Sequence, residues 1–171
     1  TYYHMTDKRT ATEETLTTAL RDVFGLHVSV RCAPIAEQVK HNSAAGDNAT
    51  ASVGRLWFKK GHVVRVTENI CSAASTIVGR ELPFPADSKE LKEATNAARV
   101  LAHEGQHIDQ DEKDEPKVEC YAVQTAAVVA RHLGASMAVA RQLGEYLAVV
   151  DVELMPLAYK PPSTCYDGGP Y

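Results

Sequence analysis

Leu101-Ala102-His103-Glu104-Gly105-Gln106-His107 is the stretch on which the reading of this chain turns. It carries the pattern H-E-x-x-H at the end of an alanine-rich run. Leu91, Ala94, Ala98, Leu101 and Ala102 recur there at helical spacing, so the pattern is expected on a helix that packs one stripe against a core. Side chains four apart on a helix leave the same face. His103 and His107 then present both imidazoles to one point, at the reach of about 2.0–2.1 Å that a zinc–nitrogen bond requires. Glu104 falls beside the position that two such ligands leave open. Imidazoles on a packed face need partners, because burying an unpaired polar group is costly.

A third donor is available downstream, where Asp114-Glu115-Pro116-Lys117-Val118-Glu119-Cys120-Tyr121-Ala122 opens another helix. Asp114 suits its cap and Pro116 its first turn, while Val118, Ala122, Thr125, Ala126 and Val129 recur at helical spacing. The acidic loop from Asp109 to Asp114 gives the chain room to leave the first helix and return. Glu119 is the expected third ligand, completing a His, His, Glu set with one position left for water. Glu115, one turn earlier, takes that place if the register of the two helices differs.

Upstream, Thr10 to Phe24 has Leu16, Ala19, Leu20 and Val23 at helical spacing and ends at Gly25. His27 to Cys32 alternates as a strand, with His27 at its edge rather than at a metal. Lys40 to Ser52 has no periodicity and reads as a loop. Val53 to Phe58 and His62 to Thr67 flank Lys59-Lys60-Gly61, the pattern of a hairpin. A helix is expected from Asn69 to about Val78, then a Pro83-Phe84-Pro85 connection, and Ser88 as cap of the motif helix. Leu133-Gly134 stops the following helix. A last one runs from Ser136 to about Leu154, with Met137, Ala140, Leu143, Leu147 and Val150 towards the core. The Pro156–Tyr171 tail frays unless Cys165 ties it down.

Helix, strand, loop, hairpin and then mostly helices make an α+β fold. A small antiparallel or mixed N-terminal sheet is expected against a helical C-terminal half, with the metal cleft between them. The length, 171 residues, suits a single domain over 1–171. Residues 1–8 read as a disordered or cloning-derived leader, because His4-Met5 is a common cloning scar. A net charge of −4 gives no reason to expect nucleic acid or an anionic membrane as partner. No apolar run is long enough to span a bilayer.

Cys32, Cys71, Cys120 and Cys165 are spread over the chain without C-x-x-C spacing. Two disulfides are expected, Cys32 with Cys71 and Cys120 with Cys165, the one connectivity of three that closes each half within itself. Such a framework points to an extracellular or cell-surface setting, with any targeting segment absent from this chain.

With its histidine pair and downstream glutamate the sequence resembles gluzincin-type zinc metallopeptidases. More narrowly it is similar to small, mostly actinobacterial proteins patterned L-x-H-E-x-x-H, D-E, E-C-x-A-x-Q and C-x-G-G. Here these stand as Leu101 to His107, Asp114-Glu115, Glu119 to Gln124, and Cys165 to Gly169. The resemblance covers the chain from Ile70 onward and implies a zincin-like fold, a Zn2+ cofactor and a peptide or protein substrate. The expected reaction is peptide-bond hydrolysis with Glu104 as general base. Tyr121, Tyr159 and Tyr166 are candidates for the oxyanion stabiliser. His132 is a poor one, since thirteen residues of helix turn it about 220° away from Glu119. By analogy, one of the hairpin strands is a candidate for holding substrate backbone. Many gluzincins carry an acidic residue after the glutamate ligand to orient a histidine, whereas Ala122 and Val123 here are apolar, so that partner must come from elsewhere. The alternative, from another class, is a catalytically silent secreted binding module stabilised by zinc, which needs the ligands but not Glu104.

Overall fold

In the computed structural model the described residues are 9–25, 28–33, 54–58, 61–110, 114–151, 160–161 and 165. The chain order is helix α1 (Ala11–Phe24), strands β1 (Val28–Ala33), β2 (Gly54–Phe58) and β3 (Gly61–Thr67), then helices α2 (Glu68–Ser75), α3 (Lys89–Gln110), α4 (Glu115–His132) and α5 (Met137–Tyr146). A π-helical turn, Leu147–Asp151, follows. The strands form one mixed sheet in the order β1-β3-β2. β2 and β3 pair antiparallel, Phe58 opposite Gly61, while β1 runs parallel to β3 with Val30 opposite Val64 and Cys32 opposite Val66. The architecture is α+β and mostly helical. The leader 1–8, His27 and the loop expected over Lys40 to Ser52 lie outside the described residues.

α1 is set by its ends. Thr10 accepts from the Glu13 amide while Glu13 reaches back to the Thr10 amide, and Gly25 closes the helix at φ 64°. The same helix seals the edge of β1. The Cys32 amide donates to Glu13 Oε1 at 2.9 Å, the Val30 amide donates to Thr17 Oγ1 at 2.9 Å, and Arg21 Nε donates to the Val28 carbonyl at 2.8 Å. Four residues of helix rise about 6 Å and two residues of strand about 6.6 Å, so Glu13, Thr17 and Arg21 keep step with alternate strand residues. Two amides and one carbonyl of this edge are thereby taken up by side chains of α1.

Beneath the sheet, Val28, Val30, Val64 and Val66 meet Leu16, Leu20, Ile70 and Ala74, and the core continues through Leu91, Ala98, Leu101, Ala122, Val129 and Leu143. Cys32 is bonded to Cys71, tying β1 to α2, and Cys120 to Cys165, tying α4 to the tail. The proline connection is pinned to α5 by Gln142, whose side chain accepts from the Phe84 amide and donates to its carbonyl, both at 2.8 Å.

Two elements differ from expectation. α2 ends at Ser75 instead of near Val78, and Gly79, at φ 63°, turns the chain back so that its amide donates to the Leu133 carbonyl. At α5, expected from Ser136 to about Leu154, Ser136 is the cap, the α-helix ends at Tyr146 where the π-helical turn begins, and Met137 is 61% exposed. Met137 lies roughly 100° around the helix from the stripe of Val139, Ala140, Leu143 and Leu147 that is buried. None of the helices is long and apolar enough to cross a membrane, among the described residues.

Candidate metal centre

α3 and α4 build the site between them. α3 starts at Ser88, whose hydroxyl accepts from the Leu91 amide at 3.0 Å, and carries the histidines in its last two turns. α4 starts at Asp114, which accepts from the Lys117 amide, and carries Glu115 and Glu119 in its first two turns. The chain reverses between the two, so the end of one helix lies beside the start of the other. The described site is therefore formed by two helices, whereas the sheet packs on α1 and α2; this corrects the expectation of a metal cleft between sheet and helical half.

His103 Nε2 and His107 Nε2 are 3.0 Å apart, and Glu115 Oε2 lies 3.1 Å from the first and 3.4 Å from the second. Four donors held tetrahedrally at about 2.0–2.1 Å stand about 3.3–3.4 Å from one another, so this triangle is close to one face of such a coordination sphere. Among the described residues, His103, His107 and Glu115 are the side chains whose donor atoms converge where a metal ion could be held. Glu115 thus occupies the place that the sequence reading gave to Glu119.

Glu119 is fully buried and meets His103 at its other nitrogen, Oε2 to Nδ1 at 2.7 Å. Its second oxygen, Oε1, accepts from Arg99 Nη1 at 2.8 Å, and Arg99 Nη2 donates to Asn96 Oδ1 at 2.8 Å. The orienting partner missing from the sequence reading is Glu119 itself. A carboxylate on Nδ1 favours the tautomer whose Nε2 lone pair points at a metal. Arg99 was overlooked, and its only signal in the sequence is a place four residues before His103 on the same helix face.

The charges are consistent with a cation. Burial lowers the basicity of His103, but its hydrogen bonds to Glu115 and Glu119 outweigh this and raise its pKa to about 9. The hydrogen bonds from His103 and His107 bring Glu115 down to about 2. For Glu119, burial pushes upward and is overcome by the His103 bond and the Arg99 charge, leaving it below the usual carboxylate range. Two carboxylates held ionised around one imidazole attract positive charge; a proton on His103 or a divalent ion against the same nitrogens satisfies them.

The rest of the motif is explained by packing. A Cβ at Gly105 would stand 2.1 Å from Phe24 Cε2, so the ring that ends α1 rests directly on the motif helix. Gln106 is buried and donates to Thr125 Oγ1 on α4 at 3.3 Å. Glu104 is half-buried, outside the donor triangle, and its charge acts on His103. Tyr121 leaves α4 about 120° around from Glu115, turned away from the triangle. Tyr159 and Tyr166 lie outside the described residues. His132 is exposed at the far end of α4, 3.9 Å from Asp22. Gln124 donates to the Cys165 carbonyl at 3.1 Å, beside the disulfide that fixes the tail to this helix.

Compared with known family models, with curated proteins and with solved structures, the chain matches none.

Proposed function

We propose that the protein is a zinc-dependent metallopeptidase of gluzincin-like type acting outside the cytoplasm, with His103, His107 and Glu115 as ligands and Glu104 as general base. One observation carries the reading: three donor atoms of the right kinds, spaced 3.0 to 3.4 Å apart, on an H-E-x-x-H helix. Two imidazoles and a carboxylate form the donor set of catalytic zinc, which keeps a fourth position for water. Structural zinc, by contrast, takes four protein ligands. The Glu115 side chain is 38% exposed, so the triangle is reachable from solvent, which favours an enzyme over a closed, zinc-stabilised binding module. The two disulfides agree with an oxidising compartment.

Zinc in this position supplies Lewis acidity, polarising a peptide carbonyl and making water acidic enough to deprotonate near neutral pH. The residues do the rest. Glu119 holds the His103 ring in place, His107 and Glu115 complete the donor face, and Glu104, one residue from the first ligand, takes the proton from water and returns it to the leaving amine.

The test is metal analysis of the purified protein before and after chelation, combined with Glu104→Gln. Zinc should bind to both forms, while peptide hydrolysis should fall by about 10²–10⁴-fold in the variant. Tight zinc with no turnover in the unaltered protein would support the binding module instead, and full activity in Glu104→Gln would remove that residue from the mechanism.

A further inference from the structure

The carboxylate of Glu119 has two ends, and α3 engages both. Oε2 meets His103 Nδ1 at 2.7 Å, and Oε1 meets Arg99 Nη1 at 2.8 Å. Arg99 is itself fixed from behind, through Nη2 on Asn96 Oδ1 at 2.8 Å. Asn96, Arg99 and His103 stand three and four residues apart on α3, so one face of one helix carries the whole line, and Glu119 enters it from α4. We infer that Arg99 is a positioning residue of the metal site: by anchoring one oxygen of Glu119 it sets the other against Nδ1 of His103, which keeps the proton on Nδ1 and leaves Nε2 free to bind a cation.

The chemistry of a guanidinium makes this more than another hydrogen bond. Arginine has donors only and stays charged at any working pH, so whatever stands at position 119 must turn an acceptor towards it. A carboxylate meets that demand and still has an acceptor left for His103. An amide cannot: its oxygen would be drawn to Arg99, its NH2 would face Nδ1, and Nδ1 would have to become the acceptor. The proton would then move to Nε2, where it blocks a metal.

This argument rests on the reading of His103, His107 and Glu115 as metal ligands, and the experiment separates the two. Two measurements are made on the unaltered protein, Glu119→Gln and Arg99→Met/Glu119→Gln. Zinc affinity is read by competition with a chelator. The ring proton of His103 is located by 15N NMR of the zinc-free protein at a pH high enough to leave one proton on each imidazole. The unaltered protein should carry that proton on Nδ1. Glu119→Gln should carry it on Nε2 and bind zinc about 10–100-fold more weakly. With Arg99 gone as well, the amide is free to turn its oxygen to His103, and the double variant should recover both the Nδ1 proton and most of the lost affinity.

A Glu119→Gln protein that keeps the Nδ1 proton and unchanged affinity would overturn the inference. So would a folded double variant no better than the single one. Loss of zinc with the Nδ1 proton still in place would make Glu119 a direct ligand instead of an orienting group. Failure of the unaltered protein to bind zinc at all would sink the metal-site reading, while the NMR pattern would still decide what Arg99 does.

Discussion

Glu13, in the seam between α1 and β1, and Glu119, in the seam between α3 and α4, are both buried carboxylates held below the usual range, yet their partners differ in kind. Glu13 overcomes its burial chiefly through backbone amides, those of Thr10 and Cys32, with Arg31 at 3.4 Å adding charge. Glu119 overcomes its burial through two side chains, His103 and Arg99. A carboxylate bonded to backbone fixes where a helix lies on a strand. One bonded to an imidazole and a guanidinium fixes which way a ring nitrogen points. The first arrangement supports the fold, whereas the second supports a site.

The contrast is open to measurement. The largest effect belongs to the α3–α4 seam without metal. His103 is more basic in the folded protein, about 9 against an ordinary 6.5, so its charge contributes stability that is fully present below pH 6.5 and lost as pH rises through about 9. The zinc-free protein should therefore lose up to about 3 kcal/mol across that window in urea unfolding, and the slope should vanish in His103→Gln. A flat profile would mean that the cluster does not act as a unit. The α1–β1 seam behaves in the opposite sense. Glu13 is depressed, so its contribution is present above the unfolded carboxylate pKa and is lost as pH falls through the lower folded value.

Next in size, Glu13→Gln should cost about 2 kcal/mol at pH 7, since one of the bonds to the Thr10 and Cys32 amides must be given up. It should leave zinc affinity unchanged, and a loss of zinc in that variant would show the two seams to be coupled. The smallest effect is at the contact that joins them. Gly105→Ala drives a methyl into the Phe24 ring. Overpacking of this sort costs about 1–3 kcal/mol, against a gain of about 1 kcal/mol from replacing glycine within a helix, so a net loss of about 1 kcal/mol is expected. Trimming the ring in Gly105→Ala/Phe24→Leu should recover it. A stabilised Gly105→Ala would mean that Phe24 moves aside freely.

Local chemistry made much of this legible. The caps at Ser88 and Asp114, the strand pattern and the hairpin all depend on residues a few positions apart, and the structure has them within a few residues of where the pattern put them. The shared face of His103 and His107 follows in the same way from helical geometry. Met137, roughly 100° around α5 from the buried stripe, shows that apolar character alone does not place a side chain in the core.

By itself, then, the sequence determined an α+β chain with a histidine pair on one helix and two glutamates one turn apart on the next. Only tertiary structure decided how those glutamates divide their work, with Glu115 at the Nε2 pair and Glu119 between Nδ1 and Arg99. The physical reason is that both lie on one face of α4, so which oxygen meets which nitrogen depends on where α4 crosses α3. A shift of α4 by one turn, about 5.4 Å, would bring one glutamate into the other's place. That crossing shows in contacts between the two helices, such as the one from Gln106 to Thr125, which no spacing within either helix records.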